Sequence, residues 1–309
     1  MKSVLIVGWG SIGQRHYKNL ITLKCHVDIV SRRKDKLDIS EADTQVFDEI
    51  VTALNNNKYD IVFICTETVQ HKVSLDILLN LNFKGQVIVE KPLFDLEFTQ
   101  FEHFNQLNIH VSYNLRFHPL LQKLKSELRH DKVLSAHIYV GQYLPTWRPT
   151  IDYKKSYSSF SELGGGVLLD LSHELDFSCW LFGKARGVFC RGGHFSELEI
   201  NSMDTCGLII EHENCPIATV QLNYTDRMTQ RFLIVNTNTT TYKIDFIQKQ
   251  FFKNKEQVPV QESDSYVKMC ENILLENSNQ LTTYTESVAL MKLMQNSMLS
   301  SENKVWNQL

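Results

Sequence analysis

The chain has 309 residues, 43% apolar, 10% aromatic and 22% charged, so it can bury a sizeable core and is not disordered as a whole. Lys and Arg number 32 against 35 Asp and Glu, a formal charge of -3 with no block of like charge, which leaves no footprint for nucleic acid or an anionic membrane surface. The seven cysteines, at 25, 65, 179, 190, 206, 215 and 270, form no C-x-x-C pair, so they read as reduced, mostly buried small residues and no metal site is expected.

The first predicted strand, Val4 to Val7, is too short for the core of a signal peptide. No later segment approaches the roughly 18 unbroken apolar residues of a membrane helix. A cytoplasmic protein is therefore expected, in which Asn223-Tyr-Thr and Asn238-Thr-Thr are chance sequons. After that strand comes Gly8-Trp9-Gly10-Ser11-Ile12-Gly13, the G-x-G-x-x-G pattern in a setting that gives it meaning, between a strand and a helix over Ile12 to Leu23. Gly8 allows the tight turn, Gly10 a close approach of backbone to pyrophosphate, and Gly13 packing of helix on strand. The amides of Ser11, Ile12 and their neighbours then face the phosphates. The second strand, Val27 to Val30, ends in Ser31-Arg32-Arg33, where an NAD site would offer a carboxylate to the ribose. An arginine pair with a small hydroxyl suits a 2'-phosphate, which favours NADP(H) with NAD(H) still possible; Asp28, inside the strand, is the acidic alternative.

Three more strands follow, Ile61 to Cys65, Val87 to Glu90 and Ile109 to Ser112, separated by helices over Phe47 to Leu54, Lys72 to Leu81 and Leu96 to Leu107. This alternation predicts a parallel sheet with crossover helices over residues 1–118. Lys91 leaves the end of its strand between Glu90 and Pro92, on the side of the sheet where ligands bind. From residue 119 the texture changes to a helix at Leu120 to Arg129, a loop rich in Tyr, Trp and Pro, and strands such as Thr219 to Thr225, Arg231 to Thr237 and Thr241 to Phe246, with a helix pair from about Ser265. Residues 119–309 are thus expected to form an α/β domain with an open, mainly antiparallel sheet. Within it, Gly164-Gly165-Gly166 feeds a helix carrying Asp170, His173 and Asp176 near one face, a carboxylate and an imidazole suited to proton transfer, or to a capping role. His173-Glu174 lacks the second histidine of H-E-x-x-H, so zinc is not expected there.

The glycine loop with Arg15-His16, Cys65-Thr66 followed by His71, Glu90-Lys91-Pro92, Asn114-Leu-Arg116-Phe-His118-Pro119, and the triple glycine with its Asp and His together resemble the Gfo/Idh/MocA oxidoreductases over nearly the whole chain. The resemblance implies a Rossmann domain followed by an α/β domain whose sheet packs against a second subunit, giving a homodimer or homotetramer. It implies that Cys65, Thr66, His71, Glu90 and Lys91 lie at the cofactor, and Asn114 and Arg116 at the substrate. Lys91 corresponds to the lysine that contacts the substrate oxygen, His173 to the general acid/base and Asp170 to its carboxylate partner. The commoner pattern sets Asp four residues before His, not three, and has proline where Glu67 stands.

The run Gly141-Gln-Tyr-Leu-Pro-Thr-Trp147-Arg148-Pro149, with Tyr153 and Tyr157 after it, is similar to a subgroup associated with bacterial surface sugars. Trp147, Tyr153 and Tyr157 can stack on a sugar ring while Arg148 holds a carboxylate or phosphate, or the aromatics can pack the loop onto its own domain. The expected activity is hydride transfer between NADP(H) and a hydroxyl or keto carbon of a sugar. The alternatives are a dinucleotide-sensing regulator without catalysis and a dehydrogenase of a cyclic polyol such as an inositol.

Overall fold

Strands covered on both faces need apolar side chains at nearly every position, and the short runs early in the chain meet that need. β1 (Ser3–Val7), β2 (His26–Val30), β3 (Val46–Phe47), β4 (Ile61–Ile64), β5 (Gln86–Val89) and β6 (Asn108–Val111) pair in parallel in the order β6-β5-β4-β1-β2-β3. Thr282–Thr283 adds an antiparallel edge beside β6. The helices α1 (Ser11–Thr22), α2 (Ile50–Asn56) and α3 (His71–Asn80) provide crossovers, and a later helix, Ser265–Leu274, packs on α1. This is the doubly wound dinucleotide-binding order expected from the sequence.

The structure, a computed structural model, describes residues 1–32, 39, 43–276 and 278–309. The chain divides into two units, Met1–Asn114 with Asp264–Val288, and Leu115–Ser263 with Ala289–Leu309. The second unit thus begins four residues before the expected cut at 118/119, and the return of 264–288 to the first has no signal in composition. Helix is also absent over most of Leu96 to Leu107, where only a 3-10 turn forms at Phe101–Phe104. The apolar residues there have helical spacing, but Phe94, Phe98, Phe101 and Phe104 gather into one ring cluster, with Phe94 and Phe98 centroids 4.0 Å apart. Aromatic side chains lose rotamer freedom in a helix, so packing wins over spacing here.

In the second unit, α4 (Pro119–Glu127) precedes β7 (Val133–Gly141), and α5 (Leu144–Trp147), α6 (Val167–Asp170) and α7 (His173–Phe182) precede β8 (Ala185–Gly193). The remaining strands are β9 (Thr205–His212), β10 (Cys215–Asn223), β11 (Gln230–Thr237), β12 (Thr241–Asp245), β13 (Gln250–Lys253) and β14 (Glu256–Val258). They run β14-β13-β12-β11-β7-β10-β9-β8, with Asn307–Gln308 at the edge, and only β7 and β10 pair in parallel. One face carries the core, including Val188, Ile210, Ala218, Ala136, Val235 and Tyr242. The other holds register-paired residues that stay at least partly open: Phe189, Ile209, Thr219, His137, Ile234 and Lys243. The seven cysteines are free thiols, all buried except the half-buried Cys179. Among the described residues no helix is long and apolar enough to cross a membrane.

Candidate functional site

At the end of β1 the chain turns at Gly8, whose φ of +103° and whose approach to the Cys65 carbonyl, 2.8 Å from where a Cβ would stand, admit only glycine. A Cβ on Gly13 would collide with the Gly8 carbonyl oxygen, whereas one on Gly10 would meet nothing within 4 Å. Gly8 and Gly13 therefore seat the loop, and Gly10 keeps an open flank. No side chain caps α1 and no acidic residue sits in its first turn, so the amides following Gly10 retain their attraction for an anion. Nearby, the buried Thr66 Oγ1 has no hydrogen-bond partner within the protein. An open cradle and an orphaned hydroxyl both fit a bound dinucleotide.

The two readings of the ribose site turn on residues in and just after β2. Asp28 is fully buried and accepts from the Gln45 amide at 2.9 Å, Asn57 Nδ2 at 3.0 Å and the Tyr59 hydroxyl at 2.7 Å, with His26 Nε2 at 3.3 Å. Its oxygens are fully engaged. Ser31 is buried and Arg32 exposed, while Arg33 lies outside the described residues.

Two buried histidines brace the turn that carries Lys91. His16 Nε2 lies 2.7 Å from Glu90 Oε1, with the Cys270 thiol 3.8 Å from the other ring nitrogen. Burial alone would push the Glu90 carboxyl up, but the hydrogen bond and charge of His16, the Ser112 hydroxyl and the charge of Lys91 outweigh it and hold it below the usual carboxylate range. His16, Cys65 and Glu90 place potential ligand atoms within 4.8 Å of one another. His16 and Glu90 are joined directly, however, so this pair holds the turn by hydrogen bonding, while burial, followed by the charge of Glu90, pushes the Cys65 thiol well up. His71, at the start of α3, sets one ring nitrogen 3.1 Å from the Leu93 carbonyl oxygen and the other 3.1 Å from that of Thr66. Both ring nitrogens face backbone carbonyls; burial pushes the pKa down, and a neutral ring donates to one of the two. The Lys91–Pro92 peptide is cis and Lys91 itself is half-buried.

Two expected substrate contacts are committed elsewhere. Asn114 Nδ2 donates to Ser265 Oγ at 2.7 Å. Arg116, 3% exposed, makes a forked pair with Asp176 at 2.8 to 3.1 Å. A guanidinium held this way is a strut inside the second unit, and Asp176 is its partner.

The triple glycine folds against the turn before it: a Cβ on Gly165 would strike the carbonyl oxygens of Tyr157, Ser158 and Phe160, and Gly164 and Gly166 have φ of +80° and +104°. The single helix expected after it is two. α6 ends at Asp170, Leu171 and Ser172 break the path, and His173 opens α7. A helix N-terminus disfavours an imidazolium, while the carboxylates of the first turn, Glu174 and Asp176, are already paired to Arg231 and Arg116. His173 is half-buried, and Asp170 is buried and accepts from the Tyr224 hydroxyl at 2.6 Å. The Tyr157 hydroxyl also bonds to Asp170. Tyr224 was not singled out in the sequence, since it lies 54 positions from its partner and only β10 brings it there.

The aromatic loop is largely folded onto its own unit. Trp147 lies 5.9 Å from the Tyr224 ring, and Leu144, Trp147 and Tyr153 help to line a cavity of only about 10 Å³, too small for a sugar ring. Arg148 remains exposed, its Nη2 3.5 Å from the Tyr157 hydroxyl.

Comparison with known proteins agrees with this division of parts. Residues 2–108 match the NAD-binding Rossmann fold of an oxidoreductase family, and residues 121–242 match the GFO/IDH/MocA C-terminal domain. The uncharacterised oxidoreductase YrbE of Bacillus subtilis is 24% identical over 230 residues, which are 70% of this chain and 65% of that protein's length. An oxidoreductase from Agrobacterium radiobacter, solved with NAD+, L-tartaric acid and magnesium, superposes with a TM-score of 0.81 at 13% identity over 99% of this chain and 98% of its own. The WlbA dehydrogenase from Bordetella pertussis, in complex with NADH and UDP-GlcNAcA, gives 0.79 at 14% identity over 99% and 98%. UDP-N-acetylglucosamine 3-dehydrogenase GnnA from Acidithiobacillus ferrooxidans gives 0.76 at 15% over 97% of each chain. With both domain models matched in order along one chain, the protein belongs to the Gfo/Idh/MocA oxidoreductases and has the architecture of an NAD(P)-dependent enzyme.

Proposed function

We propose that this protein interconverts a hydroxyl and a keto group on a sugar or nucleotide sugar, with NADP(H) as the preferred cofactor. The observation that carries the reading is the presence of a half-buried Lys91 on a rigidly braced turn in the same chain as the open glycine cradle. A dinucleotide sensor without chemistry needs the cradle but not that lysine. Two relatives solved or named with UDP-sugars, and the exposed cation of Arg148, favour a substrate with an anionic group over a neutral cyclic polyol.

When bound, the nicotinamide supplies the hydride acceptor or donor. The chain's own part is then simple. In oxidation His173 takes the hydroxyl proton and charged Lys91 stabilises the developing alkoxide; in reduction Lys91 polarises the carbonyl and His173 returns the proton. His173 opens α7, three residues after Asp170, the carboxylate assigned here as its partner. Holding both reactants in place supplies the larger, entropic share of the rate.

The test is NADPH oxidation against a panel of keto-sugars and their nucleotide derivatives. Lys91→Ala and His173→Asn are expected to lose rate by about 10² to 10⁴ while still binding NADPH. Wild-type turnover in both variants removes them from the mechanism, and a wild-type protein inert towards the whole panel favours the sensor.

A further inference from the structure

At the α6–α7 junction, where Glu174 and Asp176 pair with arginines, the Asp170 carboxylate meets two tyrosine hydroxyls. Tyr224, fully buried at the end of β10, donates its hydroxyl to Asp170 Oδ2 at 2.6 Å, a charge-assisted length. From the other direction comes Tyr157, on the turn that the triple glycine is shaped to receive: the Tyr157 carbonyl oxygen lies where any Cβ on Gly165 would stand. Its hydroxyl bonds to Asp170, and the Arg148 guanidinium lies 5.3 Å over its ring with Nη2 3.5 Å from its oxygen. Burial first, then the negative charge of Asp170, pushes both phenols up, so both stay protonated and donating at any working pH.

We infer that Tyr157 and Tyr224 are positioning residues whose two hydroxyls fix the Asp170 carboxylate at the end of α6 and thereby set the orientation and basicity of His173, the first residue of α7. This rests on the reading of His173 as the proton carrier. It also gives Tyr157 a role other than a stacking platform: the group that matters is its oxygen, not its ring. Two donors restrain the Asp170 carboxylate, and three residues further along the chain His173 opens α7 from the same junction. Arg148 completes a chain of contacts from an exposed cation to the buried acid. An anionic substrate group that engages Arg148 is thus felt at Asp170 through one phenol.

Tyr157→Phe and Tyr224→Phe keep the ring and remove only the oxygen. Each is expected to lower kcat about tenfold or more with KM for the sugar within about threefold of wild type, and to move the pH-profile limb set by His173. Wild-type kcat and pH profile in Tyr157→Phe, with a raised KM in Tyr157→Ala, would make the residue a platform and overturn the inference. If the wild-type protein turns over none of the sugars, it is the proposed activity that has failed, and the clamp is then read by NMR. The Cε1–H signal of His173, identified by its loss in His173→Asn, should titrate at a different pH in both Phe variants. An unchanged midpoint in folded variants overturns the inference without reference to turnover.

Discussion

A carboxylate can hold a ribose hydroxyl only if its oxygens can turn to it, and those of Asp28 already serve Gln45, Asn57 and Tyr59. Among the described residues, Ser31, which is buried, and Arg32, which is exposed, follow β2. Removing the guanidinium is therefore expected to cost NADPH binding and leave NADH binding nearly unchanged. A hydrogen bond to a charged group contributes about 1.5–3 kcal/mol, so Arg32→Ala should weaken NADPH by roughly tenfold or more relative to NADH in side-by-side titrations. Equal losses for the two cofactors would dismiss the assignment. The same scale bears on Arg116 and Asn114, expected as substrate contacts. Their residue types suit recognition, but each meets an internal partner, Asp176 or Ser265, that lies 60 or 151 positions away.

Among the elements, the glycine loop shows how backbone proximity outranks local propensity. Alanine at position 13 would gain up to about 1 kcal/mol of helix propensity within α1. It would also drive a methyl into the Gly8 carbonyl oxygen, and overpacking against backbone costs about 1–3 kcal/mol. Gly13→Ala is accordingly expected to lower the melting temperature by several degrees and to abolish dinucleotide binding; a variant that melts higher would show that the loop can yield. The alternation of apolar runs and helices made the six parallel strands legible except β3, whose two residues are too few to leave a pattern. Of the later strands, β10, β11 and β12 were legible, as was the helix Ser265–Leu274. Two further segments were misread. Leu96 to Leu107 had the right spacing for a helix but the wrong side chains, and the segment after Gly166 had a helical sequence yet breaks at Leu171 and Ser172. That break became visible only with the long-range hydrogen bond from Tyr224 that holds Asp170.

For the molecule as a whole, the outer face of the second sheet is the feature that calls for a partner. A row of register-paired positions runs Phe189, Ile209, Thr219, His137 and Ile234 across four neighbouring pairs of strands, with Ile209 45% exposed. Beside it, Tyr139 and Phe232 stack with centroids 5.1 Å apart and planes 5° from parallel. A two-fold association of this chain would cover these side chains. Ile209→Lys is expected to shift the mass seen by light scattering from an oligomer to a single chain with its circular dichroism retained, and an unchanged mass would place the association elsewhere. The thiols carry a separate consequence. Cys25, Cys65 and Cys270 are buried in one unit, Cys190, Cys206 and Cys215 in the other. Each half of the protein therefore comes with its own native set of chemical clocks: timed alkylation in mild denaturant, read by peptide mass, reports which half opens first without any engineered label.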